Sequence, residues 1–113
     1  MAIPELEQAR VRRALRSFCE KVPPEVRDRL THDFRIAGSD VELFERRPHY
    51  QDRERNIEHV VTKFRYAATR KSWTLFWADR NGRWHRYENF TDRRDFLDLL
   101  HEVEKDPTGI FWG

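Results

Sequence analysis

The segment at positions 73–90, WTLFWADRNGRWHRYENF, constrains the fold more than any other part of the chain. On both sides of the Asn-Gly pair at 81–82, apolar and polar residues alternate, as is typical of two half-buried strands joined by a tight turn. Trp73, Leu75 and Trp77 share one side of the first strand, whereas Thr74 and Phe76 share the other. The segment therefore predicts a hairpin with one side in the core. Its second side is exposed and carries aromatic and arginine side chains.

The turn at the centre of this hairpin fits two geometries. A type I′ turn at positions 81–82 would direct three side chains of the last strand to the exposed side, namely Arg83, His85 and Tyr87. A type I turn opened by Asp79, with a bulge at Gly82, would instead direct Trp84 and Arg86 to that side. We favour the first geometry because it groups four rings in the core: Trp73, Trp77, Trp84 and Phe90. The second geometry stays open.

Two further hairpins are predicted before this one. A two-residue turn at 38–39 pairs Arg35 with Glu42 on one side and gathers apolar residues on the other. The strand at 58–68 alternates without interruption, and a four-residue loop at 69–72 would place Phe64 opposite Trp77. The segment at 47–57 has no period and alternating charge, so it is interpreted as an exposed connection.

Apolar residues at steps of three and four predict a helix near each end of the chain. The first apolar stripe runs from Leu6 to Val22, and the two prolines at 23–24 end that helix before a short second one. The last helix is expected to begin near Thr91 or Asp92, since either is a good N-cap.

These elements combine into one α+β domain over residues 1–113. The predicted order is a helical segment at 1–30, an antiparallel sheet at 31–90, a C-terminal helix at 91–106 and an aromatic tail at 107–113. We expect five mostly antiparallel strands, with the helices packed on one face of the sheet. The other face is then left open to a ligand.

The composition indicates a folded chain that is unusually polar. Charged residues make up 37% and hydrophobic residues 38%, but a net charge of only +2 and 13% aromatic residues argue against disorder. The start, MAIPELEQAR, lacks the features of a signal peptide, and no apolar run approaches the roughly 20 residues that span a bilayer. The single cysteine, Cys19, excludes an internal disulfide. We therefore expect a cytoplasmic protein that does not contact a membrane.

The exposed side of the sheet is the predicted binding surface. Between Lys63 and Arg86 the sequence has seven basic residues and one acidic residue, Asp79. The candidate binding residues are Lys63, Arg65, Phe76, Arg80, Arg83, His85 and Tyr87. Aromatic rings flanked by arginines are typical of surfaces that bind single-stranded nucleic acid, although a solvated sheet face has the same pattern. The hypothesis is a non-catalytic module that binds nucleic acid or another polyanion.

The apolar tail offers a second class of function. Ile110, Phe111 and Trp112 follow a helix stop at Asp106-Pro107. They either fold back onto the core or insert into a groove of a protein partner or of a second copy of the chain. The alternative hypothesis is thus a protein-interaction or self-associating module.

A hydrolytic enzyme of unknown type is the third class considered. The polar residues that a catalytic site would draw on are Glu42, Glu45, Arg46, Arg47, His49, Asp52 and His85. Their spacing matches no known catalytic or metal-binding motif, and the five histidines are scattered. We therefore predict no catalytic residues, no metal and no cofactor.

Four stretches of the chain resemble one bacterial family. These are PELEQARVRRALRSFCEKVPPEVRD near the start, VELFERRP in the middle, FRYAATRKSWTLFWADRNGRWHRYEN in the paired strands and DPTGIFWG at the end. Together they resemble the small proteins grouped as domain of unknown function 3024, and the likeness covers nearly the whole chain. The resemblance implies a stand-alone bacterial domain and assigns no activity, cofactor or functional residue.

Overall fold

The fold is an open antiparallel sheet with one helix before it and one after it. A computed structural model of the chain describes residues 3–27, 29–49, 51–52, 54–88 and 90–112. The elements are α1 (Glu5–Cys19), a 3₁₀ turn (Pro24–Val26), β1 (Thr31–Ala37), β2 (Asp40–Pro48), β3 (Asn56–Ala67), β4 (Ser72–Ala78), β5 (Trp84–Arg86) and α2 (Phe96–Lys105). The five strands follow their chain order across the sheet, which confirms the predicted α+β class.

The first hairpin has the predicted register. Arg35 pairs with Glu42, and Gly38 adopts the left-handed conformation of the turn with φ 61°. The next hairpin is longer than predicted, since β2 and β3 stay paired out to Pro48 and Asn56. The predicted connection at 47–57 is therefore wrong in its bounds and shortens to 49–55. Tyr50 and Arg53 within it lie outside the described residues.

A β-bulge interrupts the pairing of β2 with β3. Leu43 pairs with Thr62 but Phe44 pairs with Val60, so Val61 has no partner across the strands. The extra residue changes the side on which β3 places its side chains, because alternation restarts on the far side of a bulge. The uninterrupted alternation expected at 58–68 is wrong for this reason.

The register of β3 with β4 differs from the prediction by two residues. Phe64 pairs with Leu75 and Tyr66 with Trp73, and the loop spans positions 68–71 with Lys71 at φ 49°. A shift of two residues leaves every side chain on its predicted face, because strand side chains alternate with a period of two.

Both helices pack on one face of the sheet, which we call the inner face. Trp73 of β4 is fully buried, its ring centroid lies 5.1 Å from that of Phe96 in α2, and its indole N–H donates to Glu7 of α1 at 3.0 Å. Leu6 is 70% exposed, although it was predicted in the buried stripe. It precedes the buried Leu15 by nine residues, which is two and a half helical turns and hence the opposite side of α1.

The C-terminal helix begins later than predicted. Asp95, rather than Thr91 or Asp92, accepts the capping hydrogen bond from the backbone of Leu97 at 3.0 Å. The preceding residues stay extended because Arg93 exchanges two backbone hydrogen bonds with Trp73, at 2.7 and 3.1 Å. Arg93, which the sequence assigned to the helix, therefore pairs with β4 instead.

The C-terminal tail folds back onto the domain. Asp106 ends α2 in the left-handed conformation, and its carboxylate accepts from the backbone N–H groups of Phe111 at 3.1 Å and Trp112 at 2.9 Å. Phe111 is 5% exposed, and Ile110 and Trp112 are partly buried against the same core. In this conformation the tail is part of the core, which is the first of the two placements that the sequence left open.

Candidate binding surface on the outer sheet face

The turn between β4 and β5 adopts the less favoured of the two geometries. The Asp79 carboxylate accepts from the backbone of Asn81 at 2.9 Å and of Arg83 at 3.0 Å, and Gly82 has φ 77°. As a result Phe76 pairs with Arg86, so the preferred type I′ register is wrong. Asp at the first and Gly at the fourth position of a turn are typical of type I, and this signal was present in the sequence.

Because the turn has the less favoured geometry, two of the predicted binding residues lie on the inner side of the sheet. Tyr87 is buried against Phe111 in the core, and its hydroxyl donates to Glu102 at 2.7 Å. His85 stacks on Trp77 on the inner side, with ring centroids 4.6 Å apart. The expected placement of Tyr87 and His85 on the binding surface is therefore wrong. Arg83 belongs to the turn itself.

Asp79 shapes the turn and also holds His85 on the side of the sheet that carries Trp77. His85 Nε2 lies 2.7 Å from the Asp79 carboxylate. This hydrogen bond, together with those from the backbone, lowers the pKa of Asp79 below its usual value. One carboxylate therefore decides which side of β5 faces outward.

Trp84 and Arg86 lie on the side of the sheet opposite the helices, where His85 and Tyr87 were expected. We call this side the outer face. Phe76 is partly exposed at its centre, between Lys63 on β3 and Arg86 on β5. Trp84 is partly exposed beside it. The outer face thus presents two aromatic rings that neither helix covers.

Lys63 lies between these two rings. Its ammonium is 5.0 Å from the ring centroid of Phe76 and 4.8 Å from that of Trp84, within cation–π range. The residue is 8% exposed, and burial, followed by the charge of Arg65, lowers its pKa. Among the residues that the structure describes, no carboxylate lies within ion-pair distance of Nζ.

The arginines around this centre are already paired with carboxylates. Arg65 lies 5.3 Å from the Phe76 ring and donates to both oxygens of Asp40, at 2.8 and 3.2 Å, which raises its pKa. Arg86 donates to Asp92 at 3.0 Å. By contrast, Arg80 in the turn forms no ion pair within the described ranges.

Away from Phe76, around β1 and β2, the outer face carries a network of ion pairs that covers one buried aromatic ring. Phe44 is 2% exposed beneath Arg35 and Arg46, at 4.4 and 5.1 Å from its centroid. The carboxylates that pair with these arginines are Asp33, Glu42 and Glu58. The outer face therefore carries mixed charge. The basic surface expected from the 63–86 window is wrong because its counter-charges come from other parts of the chain.

Comparison with known proteins identifies a family over almost the whole chain. The profile of the Domain of unknown function (DUF3024) matches residues 3–113. The chain belongs to this family. No curated protein and no solved structure matches it. Within the described part of this DUF3024 protein, no helix is long and apolar enough to cross a membrane.

The polar residues considered for catalysis are dispersed in this DUF3024 protein. Glu42 and Arg46 lie on the outer face, whereas Glu45 lies on the inner face and accepts from Arg47 at 2.9 and 3.2 Å. His49 and Asp52 lie in the connection between β2 and β3, and His85 lies on the last hairpin. Over the described ranges no three His, Cys, Asp or Glu residues form a group able to hold a metal ion.

Proposed function

We propose that this protein binds single-stranded nucleic acid on the outer face. In the proposed complex a base stacks on Phe76 or Trp84 and a phosphate oxygen accepts a hydrogen bond from Lys63. The observation that carries the proposal is the position of Lys63, a residue only 8% exposed whose ammonium lies between two aromatic rings without an ion-pair partner among the described residues.

The free energy of desolvation explains why such a cation favours a phosphate. Burial of a charge without a paired counter-charge is costly, and the lowered pKa of Lys63 reflects this cost. A phosphate at Nζ would restore a charge-assisted hydrogen bond, while the adjacent rings offer stacking of about 1–3 kcal/mol per base. Both contacts are made by the same nucleotide unit, which favours nucleic acid over a simple anion.

The ion pairs that Arg65 and Arg86 already form limit the affinity for single-stranded nucleic acid. A phosphate that approaches Arg65 or Arg86 must compete with Asp40 or Asp92. We therefore expect few phosphate contacts and a logarithmic salt dependence with a slope of about −0.7 per contact on a single strand. The same proposal places the protein in the cytoplasm, where such strands are present.

Replacement of Lys63 by methionine tests the proposal. Methionine retains most of the apolar stem, so the variant is expected to stay folded, whereas loss of a charged hydrogen bond worth about 1.5–3 kcal/mol weakens binding about tenfold or more. Binding is measured by fluorescence anisotropy with a labelled oligothymidylate at several salt concentrations. The matched control is Lys105→Met, at an exposed lysine in the last turn of α2. Equal affinities for the parent, Lys63→Met and Lys105→Met would contradict the proposal.

Neutralising Asp40 is expected to act in the opposite direction. Asparagine keeps the size of the side chain but releases Arg65 from an exposed ion pair, which is worth about 0.2–1 kcal/mol. Asp40→Asn should therefore raise the affinity for the oligonucleotide by up to about fivefold and lower the free energy of unfolding by no more than about 1 kcal/mol. Weaker binding by this variant in the same titration would show that Arg65 does not contact the ligand.

A further inference from the structure

A second surface lies on the opposite side of the sheet, between the two helices. It is a groove of about 740 Å³ that is open to solvent on one side. Its apolar floor consists of Ala14, Phe18, Phe96, Leu97 and Leu100. Leu97 is 44% exposed at its edge. The groove belongs to neither the outer face nor the tail.

The two helices run in the same direction and give the groove its length. Near their N-terminal ends, Trp73 contacts both Glu7 and Arg93, and at their C-terminal ends Lys21 pairs with Glu104 at 2.9 Å. Residues of α1 and its C-terminal extension line the groove from position 7 to position 21. Only positions 7–18 of this lining are helical, so at 1.5 Å per helical residue the stripe is about 17 Å long, which accommodates roughly eleven residues of a second helix.

The edges of the groove carry four cationic side chains and three carboxylates, which leaves a net charge of +1 with His101 neutral: Arg10, Arg13, Lys21 and Arg94 against Glu7, Asp95 and Glu104. Its carboxylates are engaged internally: Glu7 accepts from the Trp73 indole, Asp95 caps α2, and Glu104 pairs with Lys21. Arg13 and Arg94 also line the groove, and neither forms an ion pair with any residue the structure describes. An apolar floor with unpaired arginines along it is complementary to an apolar ligand that bears acidic groups.

We infer that this groove binds an amphipathic helix of an acidic partner protein. The guest would place apolar residues at i, i+3, i+4 and i+7 on the floor and its carboxylates toward Arg13 and Arg94, as in other helix-in-groove complexes. A helix fits better than a small apolar molecule, since ligand sites of that kind enclose most of the ligand whereas this groove leaves one side in water. A charged outer side of the guest helix would be compatible with that exposure.

Two designed peptides of about eleven residues test the inference. Both carry leucines at the anchor positions, but the remaining positions are mainly glutamate in one peptide and mainly lysine in the other. The expected result, by titration calorimetry of the full chain, is that the acidic peptide binds at least about tenfold more tightly than the basic one. Leu97→Asp should weaken the acidic peptide by about tenfold or more, because it introduces a like charge and removes an anchor contact.

Leu6→Asp is the matched control. Leu6 and Leu97 are both exposed leucines in the first turn of a helix, but only Leu97 lines the groove. The inference is supported if Leu6→Asp binds like the parent while Leu97→Asp does not. It is overturned if neither peptide binds, if both bind equally, if both variants lose binding alike, or if dodecanoate binds in the groove when the acidic peptide does not.

Discussion

Replacement of Phe111 by alanine is expected to lower the free energy of unfolding by about 3–5 kcal/mol, the range for truncation of a buried phenylalanine. Phe111 is 5% exposed and its ring centroid lies 5.1 Å from that of Tyr87. The alanine would leave a cavity beside a residue that anchors β5. Because small domains are stable by about 5–15 kcal/mol, the loss is a large share of the total.

Urea denaturation followed by circular dichroism measures this effect. Leu97→Ala is the control, since it truncates a large apolar side chain that is 44% exposed and should cost much less. A loss below about 1 kcal/mol for Phe111→Ala would contradict the fold-back of the tail and return the tail to the role of a docking peptide. The measurement thus separates the two roles that the sequence left open for residues 107–113.

Where two independent signals agreed and no third signal competed, the sequence predicted the structure correctly. The hairpin at 38–39 is an example, because one register both collects the apolar residues and pairs Arg35 with Glu42. At 81–82 the Asn-Gly pair and the grouping of four rings in the core favoured the type I′ turn, but the turn depends on a competing signal, Asp79. The Asp79 side chain binds the backbone of the turn, and the inward side of β5 changes with it.

Other features had no local signal at all. The bulge at Val61 depends on how two strands meet, and the extended conformation at Arg93 depends on the edge of β4. The charge of the outer face also depends on distant residues, since Asp40 neutralises Arg65 across twenty-five positions of sequence. Residues that converge only in three dimensions cannot be found by counting charges within a window.

The candidate binding surface on the outer face is smaller than the sequence indicated, and Phe76 lies at its centre. Lys63, Arg65 and Phe76 lie on the outer face, while Trp84 and Arg86 replace the three residues expected from β5. The two rings are partly exposed and in contact with a cation that has no carboxylate within ion-pair distance among the described residues. The proposed binding of single-stranded nucleic acid therefore depends on whether these rings stack with bases.

The double variant Phe76→Ala/Trp84→Ala is expected to lose nearly all binding of single-stranded nucleic acid. Each ring contributes about 1–3 kcal/mol if a base stacks on it, so removal of both weakens binding by at least about thirtyfold. Both side chains are partly exposed, so the fold should persist, which circular dichroism verifies. Phe90→Ala is the matched control, because Phe90 is also a partly exposed ring beneath an arginine, Arg93, but lies outside the outer face.

The decisive measurement is the anisotropy titration of a labelled oligothymidylate with the parent, the double variant and Phe90→Ala at low salt. We expect that the parent and Phe90→Ala bind alike and that the double variant does not bind in the same concentration range. Equal binding by all three proteins, or binding by none of them, would contradict the claim that the outer face holds single-stranded nucleic acid. Heparin binding that is unchanged by the double substitution would likewise show that the protein attracts polyanions by charge alone.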